Sequence, residues 1–467
     1  MSPLGAPSPK TLEANSSHDV DSRTGFMAPQ IPLRRLPEPW EPWEVLLDAA
    51  ISAKLQPGDA IGITEEDRSR SERWRTRIRE SVILDTIGLS SSDILLRRAH
   101  LVLGFLMHFY VQSLPPHSPV LIPKSISIPL LKVSTILDMP PVVTLSDTVL
   151  YNWDLKSAPE TTSSIDLDNL CCQTLFSGLK DEEEFYLSSA RIEIRGVEAL
   201  EIMHLIAIEI ANCHDVNGAG TKDAVLVSAN YTTAGTSINR VTNHLYRLAV
   251  VINDLKRLLL NVQNGCDPSI YYNDVRPWFR GEDSDHSKRK WIFEGLDGLL
   301  ESGTLVKPPT ELSGTSAGQS SLIHSLDIFL GVDNRRPVLG DAGMVKTPSF
   351  LERMKTYMPK KHRMFLGDLE CRKPSLREFV VEKNEQSLNA AYNASVMALK
   401  EFRDSHMIIV ARYIIGPAHR DAEATKQKSE SLEGVDSSLL KGTGGTDMVK
   451  FLKGVRNQTA EAVVGTA

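Results

Sequence analysis

Glu401-Phe402-Arg403-Asp404-Ser405-His406-Met407-Ile408-Ile409-Val410-Ala411-Arg412-Tyr413 decides how this chain is read. No Pro or Gly interrupts the pattern from Ser387 to Ile414. On a helix Leu399, Phe402, His406, Ile409 and Tyr413 fall at steps of three and four, on one apolar face. His406 therefore projects an imidazole from an apolar stripe, a place suited to an axial haem ligand. A satisfied core histidine produces the same pattern, so the segments around the helix decide between the two.

Working outward, the other helical patterns are as long. Ser91–Val111, capped at Ser92 or Asp93, runs from amphipathic to fully apolar, and Ile126–Asp138 ends before Pro140-Pro141. Glu66–Glu80 is charged throughout and reads as a solvated helix. Val197–Ala211 lies in an apolar helix over Gly196–Cys213, Asn239–Val262 is strongly periodic, and Asp447–Val464 forms a final helix. Tyr186–Arg195 alternates and reads as a short strand or extended link. Asn217–Thr221 and Gly281–Lys290 read as loops. The fold class is mainly α, and the first helices form a smaller N-terminal helical unit.

Residues 1–30 are rich in Pro, Ser, Asp and Asn and read as a disordered tail, with Trp40 and Trp43 marking where folded structure begins. Gly416–Gly442 is polar and reads as a mobile loop, placed at about 416–446 with its glycines. With 467 residues and 41% hydrophobic content, a large core is affordable. The net charge of −7, with no basic tract interleaved with aromatics, argues against nucleic acid. No signal sequence is legible at the N-terminus. The longest apolar run, Leu101–Val111, is short of the ~20 residues of a membrane span, so it reads as a buried helix. The five cysteines, Cys171, Cys172, Cys213, Cys266 and Cys371, match no zinc spacing and read as reduced thiols of a cytoplasmic protein.

Three segments occur in a telling order. Gly314-Thr315-Ser316-Ala317-Gly318-Gln319-Ser320-Ser321 runs into Leu322–Gly331. The His406 helix follows, then Lys441-Gly442-Thr443-Gly444-Gly445-Thr446-Asp447. With Tyr357–Arg363, Pro374–Phe379, Ile128–Ser134, Pro140-Pro141 and Leu150–Trp153, these resemble the indoleamine 2,3-dioxygenase family over roughly residues 35–460. The resemblance implies a two-domain helical fold: a small N-terminal domain at 31–155 and a large haem-binding domain at 156–467.

It also implies roles. His406 matches the proximal haem iron ligand. Asp327 and Arg403 match a pair on the proximal side; by themselves they read as a solvated acid and base. Ser316, Ala317 and Gly318 match the small residues over the distal haem face, and Tyr271 an aromatic that packs on the indole. Arg276 matches the arginine that takes the substrate carboxylate, a task suited to a guanidinium fork, with Arg280 close by. Thr443 matches a loop closing over the substrate. It lacks a P-loop's Gly-Lys-Ser/Thr ending, so its glycines read as hinges. Leu145, Thr148 and Val149 occupy the stretch lining the indole pocket. Glu201, Ile202 and Leu205 are expected where vertebrate members carry two aromatics and a serine, which makes the pocket look altered, and His204 on that helix reads as structural.

The implied activity is haem-b-dependent cleavage of the indole C2–C3 bond of L-tryptophan with O2 as co-substrate, giving N-formylkynurenine, the first step of the kynurenine pathway. No side-chain acid or base is assigned. The implied partners are L-tryptophan or a related indoleamine and an external one-electron reductant, with no nucleic acid, no membrane and a monomeric protein. The alternatives are the same family acting on another indole or with low tryptophan turnover, or a non-enzymatic haem redox sensor.

Overall fold

A computed structural model describes residues 18–158, 165–218, 224–285, 287–301, 303, 306, 308–332, 349–420 and 448–465. Helices carry it, as composition and periodicity led us to expect. They are α1 Glu41–Ser52, α2 Glu65–Glu80, α3 Asp93–Gln112, α4 Lys124–Leu137, α5 Lys180–Arg195, α6 Val197–Gly218, α7 Ala224–Asn261, α8 Ser321–Phe329, α9 Phe350–Lys355, α10 Lys360–Cys371, α11 Leu376–Lys383, α12 Gln386–Val410 and α13 Met448–Glu461, with short helical turns between them. Two small ribbons complete the described fold. Val120–Ile122 pairs in parallel with Trp291–Phe293, and Trp153–Leu155 antiparallel with Leu170–Cys172.

Helix boundaries follow local chemistry. Thr64 caps α2 by accepting from the Asp67 amide at 3.1 Å, and Asp67 returns a bond to the Thr64 amide. That helix is less solvated than its charge suggests, because Trp74 and Ile78 are buried. Asp138, in the left-handed region at φ 55°, ends α4 just before Pro140-Pro141. The apolar window of α3 meets the length and hydropathy of a membrane span, yet 89% of that window is buried inside the protein, so α3 is a core helix.

Two large apolar clusters hold the structure together. One gathers α1–α4 with Val262–Phe279, Trp291, Phe293 and Tyr413. The other is built from α6, α7, α8, α11 and α12. α12 lies against α7, where the Ser395 hydroxyl donates to the Leu245 carbonyl at 2.7 Å, and Lys256 pairs with Glu401 at 2.7 Å. The chain end is tied back onto α12: Asn393 exchanges two 2.9 Å bonds with the Val464 backbone.

Two expectations are corrected. Tyr186–Arg195 is no strand but part of α5. Glu193 is buried, and Tyr186, Ala190 and Ile194 recur at the helical step of four. Nor does disorder extend to residue 30. Phe26 and Met27 are each 1% exposed, Phe26 packs tilted against His362 and edge-on against Phe365, and Asp21 and Gly25 exchange two 2.9 Å backbone bonds. A polar composition hid two large anchors. The expected loop at 416–446 is helical at 416–420 and otherwise lies outside the described residues, as does Thr443. All five cysteines are free.

Candidate functional site

One cavity gathers most of the residues singled out from sequence. Its walls come from α5 (Phe185, Tyr186, Ser189), from the segment after Pro140-Pro141 (Leu145, Thr148, Val149), and from Tyr271 and Phe279. The Thr315–Gly318 loop, Phe350, His406, Val410, Ile414, Phe451 and Leu452 complete it. Three π-helical turns, Ser146–Leu150, Tyr271–Val275 and Ala411–Ile415, each deliver a lining residue, an irregularity frequent at functional sites.

His406 sits on this wall, and among the described residues neither of its ring nitrogens has a hydrogen-bond partner. Burial, then the neighbouring Arg403 charge, pushes its pKa down to about 4. The imidazole is thus neutral at ordinary pH, with a lone pair available to a metal. No cluster of three or more His, Cys, Asp or Glu able to hold a bare ion exists among the described residues. A lone neutral histidine suits a metal that brings its other ligands with it.

Asp327 and Arg403 are not solvated. Their side chains are 3% and 9% exposed, and Arg403 Nη2 donates to both carboxylate oxygens at 2.5 and 2.6 Å. The second guanidinium nitrogen donates to Thr459 on α13. The pair locks α8, α12 and α13 together three residues before His406.

The Thr315–Gly318 loop is held by backbone proximity. A Cβ on Gly314 would stand 1.8 Å from the Phe279 carbonyl oxygen, and one on Gly281 would stand 2.1 Å from that of Leu312. Two strands of chain cross there with no room for side chains, which sets Phe279 beside Thr315. Ser316 accepts from the Gly318 amide at 3.2 Å. Gln319, unnoticed in the sequence, is the rivet: its Oε1 accepts from the Leu145 amide at 2.8 Å and its Nε2 donates to the Gly314 carbonyl at 3.0 Å. Nothing in its local sequence marks it, because its Leu145 partner lies 174 residues away.

The helix assigned to the indole pocket is corrected. Glu201 is exposed and Ile202 lies in the second apolar cluster, so neither they nor Leu205 line the cavity. His204 borders a separate surface groove. Two aromatics and a serine are present after all, as Phe185, Tyr186 and Ser189 on α5. The error came from taking this stretch for a strand. Tyr186 turns its hydroxyl out of the pocket, donating to Glu182 Oε1 at 3.0 Å, and leaves a ring face as wall.

Tyr271 lines the cavity and packs on Phe185 at 4.4 Å between centroids. Arg276 does not line it. The residue is 3% exposed, with its guanidinium 5.4 Å from the Tyr272 ring centre, and burial, then the Arg280 charge, lowers its pKa. Arg280 pairs with Asp59 at 2.5 Å and is not free to replace it.

Comparison with known proteins identifies the family. The family model described as indoleamine 2,3-dioxygenase matches residues 14–462. The chain is 30% identical over 461 residues to indoleamine 2,3-dioxygenase 2 of Mus musculus, covering 97% of both chains. It is 30% identical over 474 residues to indoleamine 2,3-dioxygenase of Saccharomyces cerevisiae, covering 96% of this chain and 94% of the relative. A 6-hydroxytryptophan 2,3-dioxygenase of Fusarium equiseti is 28% identical over 459 residues, with 97% and 98% covered.

Proposed function

Because the chain belongs to the indoleamine 2,3-dioxygenase family, we propose that it binds haem b through His406 and opens the indole C2–C3 bond of L-tryptophan with O2, releasing N-formylkynurenine. The observation that carries this reading is the neutral His406 imidazole, without a hydrogen-bond partner among the described residues, on a cavity lined mainly by apolar and aromatic side chains. The residues present fit a haem: a single imidazole donor, small side chains at Ala317 and Gly318, and apolar side chains at Val410 and Ile414. When bound, haem supplies the redox chemistry that O2 requires, with an external one-electron reductant setting the iron's oxidation state.

The chain's own residues bind, orient and exclude water. Leu145, Val149, Phe185, Tyr186 and Phe279 form a dry slot for a flat bicyclic ring. Arg276, one turn from Tyr271, is the carboxylate partner in this reading, reached by reorienting its side chain. Among the described residues no carboxylate or imidazole besides His406 lines the cavity, which favours orientation over general acid–base work as the protein's contribution.

The second reading is a ring-hydroxylated tryptophan, favoured by the hydroxyls of Thr148, Ser189 and Thr315 on the same walls and by the name of the Fusarium relative. The test is turnover by haem-loaded protein reduced with ascorbate and methylene blue, given L-tryptophan or 6-hydroxytryptophan in air. Product from the first supports the main reading, and product from the second alone supports the other. A haem spectrum without turnover of either would reject both in favour of a haem sensor.

A further inference from the structure

One face of α3 carries His100, Gly104 and His108, each four residues apart, and all three meet the segment that forms the Leu145–Thr148–Val149 wall. A Cβ on Gly104 would stand 3.2 Å from Val143 Cγ2, so helix and segment touch there. His108 is fully buried and burial lowers its pKa to about 4, so it is neutral. It donates from Nδ1 to the Trp278 carbonyl at 2.8 Å and accepts the Val143 amide on Nε2 at 3.2 Å.

His100 differs in kind. The residue is 1% exposed; its Nδ1 lies 2.7 Å from Asp147 Oδ1 and its Nε2 3.1 Å from the Pro140 carbonyl oxygen. Both nitrogens face oxygens, so the ring bridges the Asp147 carboxylate and the Pro140 backbone. The other Asp147 oxygen accepts the Thr144 amide and hydroxyl, each at 2.8 Å. Asp147 thus receives three bonds while sitting inside the turn that presents Leu145 and Thr148 to the cavity.

We propose that His100 is a positioning residue for the substrate: a buried ring that, through Asp147 and the Pro140 carbonyl, sets the depth of the Leu145–Thr148–Val149 wall against which the indole packs. The inference rests on reading the cavity as the indole site. Losing either contact would release one end of the clamp.

The test compares haem-loaded wild type with His100→Gln, which keeps one donor to Asp147 but not the contact with the Pro140 carbonyl, and with Thr144→Val, which keeps volume and removes one bond to Asp147. His100→Gln is expected to raise KM for L-tryptophan about tenfold, with kcat and bound haem within twofold, and Thr144→Val to shift KM the same way by less. Amide exchange at residues 143–150 should quicken about tenfold in His100→Gln while α7 and α12 are unchanged. KM within twofold in both variants, or KM rising only together with haem loss, overturns the proposal. If His100→Gln does not fold, an unchanged KM in Thr144→Val overturns it. If wild type turns over no indole, the functional reading has failed separately, and unchanged exchange at 143–150 then overturns the clamp.

Discussion

Arg403 holds both oxygens of Asp327 through a single guanidinium nitrogen, three residues before His406 on the same helix. Removing the acid strands a buried cation, whereas removing both partners does not. We expect Asp327→Ala to cost about 3–5 kcal/mol in urea unfolding and to weaken haem retention. An effect below about 1 kcal/mol would mean that the pair does not hold α8 against α12.

His406 is kept neutral by burial and by the Arg403 charge. Its folded pKa, about 4, lies below the unfolded value near 6.5. The unfolded chain therefore takes up the proton first, and stability is lost as pH falls from about 6.5 towards 4. Haem content after equilibration should fall over the same window, and His406→Ala should lose stable haem at every pH. Wild-type haem content in that variant would exclude His406 as the ligand.

Glu193 titrates in the opposite sense. Burial raises its pKa to about 7 against one bond from Ser320 at 2.7 Å, and its second oxygen has no partner. A raised carboxyl pKa contributes stability that is present at low pH and lost as pH rises through about 7. Glu193→Gln should flatten the decline between about pH 4.5 and pH 7 and gain on the order of 1–3 kcal/mol at the upper end. Parallel melting curves for the two proteins across that range would contradict this.

Arg276→Ala should raise KM for L-tryptophan at least tenfold while haem content stays at the wild-type level. Arg276→Lys should rescue it incompletely, because an ammonium lacks the guanidinium fork. A KM unchanged in both variants removes Arg276 from the substrate site.

Gly314→Ala should abolish activity and lower the melting temperature by several degrees, because a methyl group there would overlap the Phe279 carbonyl. Gly318→Ala meets only the Phe350 and Met354 side chains, each at 3.2 Å, and should be milder. Equal effects would indicate that the crossing at Gly281 and Gly314 yields easily.

The helical class, the long helices and the candidacy of His406 were all legible in the sequence. Apolar residues repeating every three to four positions are a local property, written along one segment. The Ser316–Gly318 run was legible in the same way. What local pattern misjudged was which polar groups are inside. Asp327 and Arg403 read as solvated because each is charged, and only the docking of α8 on α12 made them partners. The rough alternation of Tyr186–Arg195 read as a short strand or extended link, although the stretch is helical and buries Glu193. Gln319, His100 and Asp147 carry no one-dimensional signal, because their partners lie 174, 47 and 47 residues away. Sequence by itself determined the helices and the chemistry each can offer. Tertiary structure alone decided which charges are buried and paired, because the cost of desolvating a group is set by whatever packs over it from elsewhere in the chain.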